Sequence, residues 1–193
     1  MATCPIEEFP TMHAKSTLVP VLAGLLMLAG GAPARADFND GVVALMQGRN
    51  EEALKTFLPL AETSNHAYSQ YFLGRMYAEG RGVPQDREQA AKWFRKAAEK
   101  GVQDAQYRLG GMYERGEGVP TDMEYAYAWY SVSAHIGNPK ADGALAAASK
   151  KMSAEELRSA NTLAADLIQK YGTVPEATSK ALGTPAATAS PGQ

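Results

Sequence analysis

Two stretches of the chain repeat one another at a distance of 36 residues. Residues 70–101 are QYFLGRMYAEGRGVPQDREQAAKWFRKAAEKG, and residues 106–137 are QYRLGGMYERGEGVPTDMEYAYAWYSVSAHIG. Sixteen of the 32 aligned positions are identical, and they include the run G-x-G-V-P-x-D. Self-similarity with a period of about 20–50 residues is typical of repeat architectures, so this repeat decides the fold class.

Each copy predicts a pair of α-helices joined by a loop. In the first helix of the pair, Leu73, Met76 and Tyr77 recur at i, i+3 and i+4 and form one apolar face. The loop glycines can take positive φ angles, and the proline that follows ends the first helix. Asp86 and Asp122 then suit the N-caps of the second helices.

A glycine lies inside each first helix, at Gly74 and at Gly110. Glycine there costs about 1 kcal/mol relative to alanine, so its repetition indicates a packing reason. We predict that a neighbouring helix approaches the bare backbone at these two positions. The second helix carries its own apolar stripe, which we interpret as core, at Ala90, Trp93, Phe94, Ala97 and Ala98.

The flanks of the repeats contain weaker copies. Residues 50–62 place Phe57 between alanines at the spacing seen around Phe94, and residues 38–47 supply a partner helix. After the second copy, Ala146 stands where the repeat has Gly110. A capping box at Ser153-x-x-Glu156 predicts a closing helix over 154–171.

The two copies resemble Sel-one-like repeats, which are relatives of the tetratricopeptide repeat. They follow the pattern A-x-x-x-L-G-x-x-Y-x-x-G-x-G-V-x-x-D, with Ser69 replacing the leading alanine of the first copy. The resemblance implies an all-α fold, a short right-handed α-solenoid of antiparallel helix pairs with a C-terminal capping helix. It also implies a protein or peptide partner on a concave face lined by the first helices.

Eight residues are predicted to contact this partner. Six occupy positions of the first helices outside the apolar face. The other two, on the second helix of the second copy, replace Gln89 and Ala91 of the first copy, and tyrosine is enriched at interfaces. The candidates are Tyr71, Phe72, Arg75, Tyr107, Arg108, Glu114, Tyr125 and Tyr127.

No motif for catalysis or for a metal stands out. His66 and His135 lack metal-ligand spacing, and the chain has neither a G-x-S-x-G motif nor a phosphate-binding loop. Relatives with cysteine pairs have been linked to hydrolase activity, but this chain has one cysteine, Cys4. With a net charge of −2 and no basic block, nucleic acid is not expected as a partner. We therefore expect no catalytic residue, metal or cofactor.

The N-terminal region predicts export. Residues 18–30, LVPVLAGLLMLAG, are apolar throughout but shorter than the roughly 20 residues that a spanning helix needs. They suit the core of a signal peptide, and the A-R-A that follows predicts cleavage between Ala36 and Asp37. Translation starts at Met1 or at Met12. A periplasmic or secreted bacterial protein, with no stable membrane span after cleavage, is expected.

These features predict a non-catalytic envelope adaptor or scaffold. The alternative is an accessory or regulatory subunit of a periplasmic enzyme that acts on the cell wall. The predicted organisation is a signal peptide at 1–36, a degenerate helix pair at 37–64, repeat units at 65–101 and 102–138, a degenerate unit with a capping helix at 139–171, and a disordered tail at 172–193.

N-terminal sequencing of the exported protein tests the predicted cleavage. The first residue is expected to be Asp37, because small residues stand three and one positions before that bond. A mature protein that retains the apolar segment would contradict the prediction.

Overall fold

The computed structural model describes residues 37–173, so the predicted signal peptide and nearly all of the predicted tail lie outside the described residues. Within that range the chain forms eight α-helices and no β-strand. The helices are α1 (Phe38–Met46), α2 (Asn50–Glu62), α3 (Ala67–Glu79), α4 (Arg87–Ala98), α5 (Gln103–Arg115), α6 (Met123–Ile136), α7 (Pro139–Ser149) and α8 (Ala154–Tyr171).

The first six helices pack against their neighbours in sequence. Within the pairs, α1 packs on α2, α3 on α4, and α5 on α6, while α2 contacts α3 and α4 contacts α5 between pairs. Packing between successive helix pairs is the arrangement of an α-solenoid, so the predicted fold class is confirmed. No helix among residues 37–173 is both long enough and apolar enough to cross a bilayer.

A glycine beneath an aromatic ring holds each of these pairs together. A Cβ atom at Gly74 would lie 2.7 Å from the Phe94 ring, and one at Gly110 would lie 2.8 Å from the Tyr130 ring. Both rings are almost completely buried. The predicted close approach is therefore present, but at Gly74 the neighbour is an aromatic ring of the paired helix rather than its backbone.

The same contact recurs in the first helix pair, which lacks the loop motif. A Cβ atom at Gly41 of α1 would lie 2.6 Å from the Phe57 ring of α2. Phe57 is fully buried, as is the equivalent Phe94. The sequence pattern identified Phe57 but gave no reason to single out Gly41.

The loops join each pair to the pair before it. Gly118 has a φ of 71°, and a Cβ atom there would lie 2.1 Å from the carbonyl oxygen of Arg87, in the first turn of α4. The predicted N-caps follow these loops: Asp86 accepts a hydrogen bond from the backbone N–H of Gln89, and Asp122 accepts one from that of Tyr125. The loop motif thus ends one helix, begins the next and contacts the preceding pair.

A buried glutamine at the start of α3 and α5 also links successive pairs. Nε2 of Gln70 donates to the carbonyl oxygen of Ala61 over 3.2 Å, and Nε2 of Gln106 donates to that of Ala98 over 3.1 Å. Both acceptors lie near the end of the preceding second helix. The identical glutamines of the two repeats therefore fasten each pair to the previous one.

The last two helices depart from the repeat. α8 packs along α6 rather than against α7, and the predicted capping box of Ser153 and Glu156 is present at its start. Near the end of α8, the ring of Tyr171 stacks on that of Trp129 at a centroid distance of 5.7 Å. The backbone carbonyl oxygen of Tyr171 accepts a hydrogen bond from Nε2 of Gln106. α8 therefore covers a side of α6 whose counterpart on α4 is exposed.

The glycine–ring contact predicts opposite effects for two alanine substitutions. Gly74→Ala is expected to lower the free energy of unfolding by about 1–3 kcal/mol, because the added methyl group displaces the Phe94 ring. Gly143→Ala in α7 is the matched control, since no atom lies within 4 Å of its Cβ position. There the gain in helix propensity should stabilise the protein by about 0.5–1 kcal/mol. Urea denaturation measures the free energy of unfolding of both variants. Equal changes relative to the wild type would contradict the packing contact at Gly74.

Candidate functional site

Five of the predicted residues lie on α3 and α5, and we call them the first-helix face. Arg108 is exposed, and the other four are partly exposed. The face is formed by positions of the two helices that are not fully buried. Its members are Tyr71, Phe72, Arg75, Tyr107 and Arg108.

Tyr71 joins the two helices of this face. The Arg108 guanidinium and the Asp104 carboxylate of α5 both lie close enough to influence its hydroxyl electrostatically. Burial is the main cause that raises the pKa of Tyr71, and Asp104 raises it further. The hydroxyl therefore stays protonated at neutral pH and can itself donate a hydrogen bond.

Phe72 is more engaged in packing than its sequence position predicts. Its ring stacks on that of Phe57 at 5.2 Å with an interplanar angle of 8°, and Phe38 lies 5.7 Å away. The guanidinium of Arg75 lies 5.9 Å from the Phe72 ring and pairs with Glu79 at 3.4 Å. Phe72 therefore offers a partner only part of its ring, with a cation beside it.

Tyr107 repeats the position of Tyr71 in the second unit. Its ring lies 5.7 Å from that of Tyr130, as the Tyr71 ring lies 5.9 Å from that of Phe94. Each of these tyrosines thus leans on the ring that covers the helix glycine. The tyrosine of the first-helix face is held in the same pose in both repeats.

Glu114 lies apart from this face, near the end of α5. It accepts a hydrogen bond of 2.7 Å from the Tyr130 hydroxyl and pairs with Lys151 at 2.7 Å. The bond from Lys151 lowers the pKa of Glu114, while burial and Glu114 raise the pKa of Tyr130. Glu114 therefore links α5 to α6 and to the connection between α7 and α8.

The two candidate tyrosines of α6 have different surroundings. The Tyr127 hydroxyl donates to Oδ1 of Asn161 over 3.0 Å, so Tyr127 takes part in the packing of α8. Tyr125 is 39% exposed, and its ring stacks on Tyr113 at 5.2 Å. The structure does not bring these two tyrosines to the first-helix face.

The Asp104 carboxylate lies near enough to raise the pKa of Tyr71, and its Oδ1 accepts a hydrogen bond of 3.4 Å from Asn138. Asp104 was not among the candidates predicted from the sequence. It occupies the position that Tyr68 has in the first repeat, so the two repeats differ there. This difference between the repeats was the sequence signal that could have identified Asp104. A single sequence does not show that an aspartate of α5 lies near a tyrosine of α3.

The described residues offer no metal centre. Within 37–173 no group of three metal-ligating side chains comes together. His66 is the N-cap of α3, where its Nδ1 accepts a hydrogen bond from the backbone N–H of Ser69. Burial lowers the pKa of His66, which suits this accepting role because only the neutral ring has a free lone pair.

The environment of Glu114 predicts a pH-dependent contribution to stability. Because its folded-state pKa is lowered, the stabilisation is complete above the unfolded value of about 4.3 and is lost as the pH falls through the folded value. Glu114→Gln is expected to cost about 1 kcal/mol at pH 7, a modest effect since Lys151 is largely exposed.

Urea denaturation at pH 7 and at pH 3 provides the measurement. The difference between wild type and Glu114→Gln should shrink at the lower pH, while Glu62→Gln at an exposed site of α2 serves as the control. A difference that is the same at both pH values would refute this role of the carboxylate.

Comparison with known proteins identifies the repeats. A model of the Sel1 repeat matches residues 67–102 and 103–138. The chain is 38% identical over 66 residues to an exopolysaccharide production negative regulator of Rhizobium leguminosarum bv. viciae, a match that covers 34% of this chain and 24% of the relative.

Two solved structures are similar to this chain, and the first supports the helical repeat fold. One is a protective antigen present in uropathogenic Escherichia coli strains and displaying an SLR fold, with a TM-score of 0.67, 31% identity, and coverage of 85% of this chain and 35% of that one. Another is a Sel1 repeat protein from Oxalobacter formigenes, with a TM-score of 0.49, 35% identity, and coverage of 58% and 92%. The chain thus spans about a quarter of the curated relative and about a third of the antigen. The chain therefore contains two Sel1 repeats and is similar in fold to the antigen.

Proposed function

We propose that the chain is a non-catalytic scaffold of the bacterial envelope that holds a protein partner on its first-helix face. Sel1 repeats mediate protein–protein interaction and are generally non-catalytic, which supports the class of function. The observation that carries the proposal is the junction of α3 and α5, where Tyr71, Arg75, Arg108 and Asp104 lie together on adjacent first helices.

The chemistry of this face suits an extended or helical peptide. Arg108 is exposed and has five N–H donors that can reach a partner. Arg75 adds a second cation, and the free part of the Phe72 ring adds apolar surface. Arginine and aromatic residues contribute most to binding energy at protein interfaces, so the face favours a partner with carboxylate or carbonyl acceptors and an apolar side chain.

The envelope location rests on the predicted signal peptide. If cleavage occurs after Ala36, the mature chain begins directly before α1 and contains every described helix. The interaction would then take place outside the cytoplasm.

A second function, as a regulatory subunit of an envelope enzyme, is favoured by one relative. The curated relative is named as a negative regulator of exopolysaccharide production. Its match to this chain spans 66 residues, about the length of the two repeats. On this alternative the partner on the first-helix face is an enzyme of envelope polysaccharide metabolism, and binding alters its activity.

Crosslinking in intact cells, followed by mass spectrometry, tests the proposal. The variant Arg75→Ala/Arg108→Ala removes both cations of the face from positions that are not fully buried. The matched control is Arg158→Ala, an exposed arginine of α8. We expect the double variant to reduce the yield of the specific crosslinked partner by about tenfold or more, in line with the loss of interfacial arginines, and the control to leave it unchanged.

The result also separates the two functions. A structural or secreted protein as the partner supports the scaffold, whereas a polysaccharide enzyme whose activity changes on binding supports the regulator. Equal yields from wild type and from the folded double variant would refute the first-helix face as the binding surface.

A further inference from the structure

The second helix of the first repeat borders a groove that the first-helix face does not include. The groove has a volume of about 410 Å³ and lies between α4 and the loop that precedes α6. On the α4 side it is lined by Glu88, Ala91, Lys92, Arg95 and Lys96, which we call the α4 strip, and on the loop side by Gly118 and Val119.

The α4 strip carries an excess of positive charge. Lys92, Arg95 and Lys96 are all exposed and lie within little more than one turn, with Glu88 as the one carboxylate of the strip. Within residues 37–173, none of these three cations forms an ion pair with a carboxylate. A group of cations without paired anions attracts acidic partners and steers their approach.

Arg95 is held in place by one tyrosine, Tyr113. Its guanidinium lies 5.7 Å from the Tyr113 ring and donates a hydrogen bond to the Tyr113 hydroxyl. Tyr113 in turn stacks on the exposed Tyr125. An arginine that is already ordered loses less conformational entropy on binding, and its remaining N–H donors can contact a carboxylate.

The equivalent surface one repeat later is already covered by a helix. On α6, 36 residues along, Glu124 accepts a hydrogen bond from Ser159 of α8. Ala128 and Val132 of α6 are fully buried, and α8 packs along this helix. The side of α6 that corresponds to the α4 strip therefore packs against another segment of the chain.

The differences between the two surfaces indicate what the α4 strip can accept. Lys92 stands at the position of Ala128, and Lys96 stands at that of Val132. An apolar segment like the inner side of α8 would bury these lysines without partners, which is unfavourable. A segment with carboxylates at the same places would pair with them, while the buried Ala91 and the half-buried Val119 would contact an apolar side chain.

We propose that the α4 strip is a second binding surface, separate from the first-helix face, for an acidic segment of a protein partner. Carboxylates of that segment contact Lys92, Arg95 and Lys96. An apolar side chain between them enters the groove beside Val119.

Fluorescence anisotropy with a defined acidic peptide tests this surface on the full chain. The probe is a labelled peptide with three repeats of Glu-Leu-Glu-Glu-Ala, and its control has glutamine at every glutamate. We expect Lys92→Glu/Lys96→Glu to weaken binding of the acidic peptide by about tenfold or more. Lys140→Glu/Lys150→Glu, which makes the same change in net charge at exposed positions of α7 and its end, should leave affinity within about twofold.

Each other outcome overturns the proposal. Equal losses in the two charge-reversed variants would show attraction by net charge alone, and equal binding of the glutamine peptide would show that carboxylates are not recognised. A loss caused by Arg75→Ala/Arg108→Ala would assign the peptide to the first-helix face. Stronger binding to phosphatidylglycerol vesicles than to the peptide would identify a membrane surface instead.

Lys92→Gln/Lys96→Gln replaces the charge-reversed variant if that variant does not fold. We expect it to give an intermediate loss of peptide affinity.

Discussion

The structure depends on a glycine that lies beneath an aromatic ring. In three successive helix pairs, the first helix offers a glycine and the second helix places a phenylalanine or tyrosine ring against it, at Gly41, Gly74 and Gly110. The missing side chain lets the two helices approach closely enough for the ring to be buried. Glycine weakens an isolated helix, but the buried ring more than offsets this, because an aromatic side chain gains several kcal/mol on burial.

The end of the stack follows from the loss of this contact. In α7, Ala146 occupies the position of the glycine, and the connection from α7 to α8 lacks the G-x-G-V-P-x-D loop. α7 and α8 consequently do not form a pair, and α8 packs along α6. Ala128 and Val132 of that helix are fully buried, at positions where α4 has the exposed Lys92 and Lys96. A solenoid needs a polar outer side on its last helix, and the capped, charged α8 provides one.

The repeat also explains why the two proposed binding surfaces lie where they do. Positions that hold a pair together carry the same glycine and an aromatic ring in both copies. By contrast, Asp104 and Tyr68, or Ala128 and Lys92, differ at equivalent positions. These differences give α3 and α5 a mixed aromatic and polar face, and give α4 a cationic side that α6 lacks. The scaffold is thus constant, and the positions that do not hold it together set the charge and shape offered to partners.

The sequence by itself determined the helix pairs, their caps and loops, and the closing helix, because these follow from local rules of periodicity, N-capping and glycine conformation. It also selected the residues of the first-helix face, since the apolar face of each helix can be read from its spacing. Only the tertiary structure decided that Gly41 has the role of Gly74, that Phe72 and Tyr127 are largely used in packing, and that Asp104 faces Tyr71. Those facts depend on distances between helices far apart in the chain, and no local pattern specifies them.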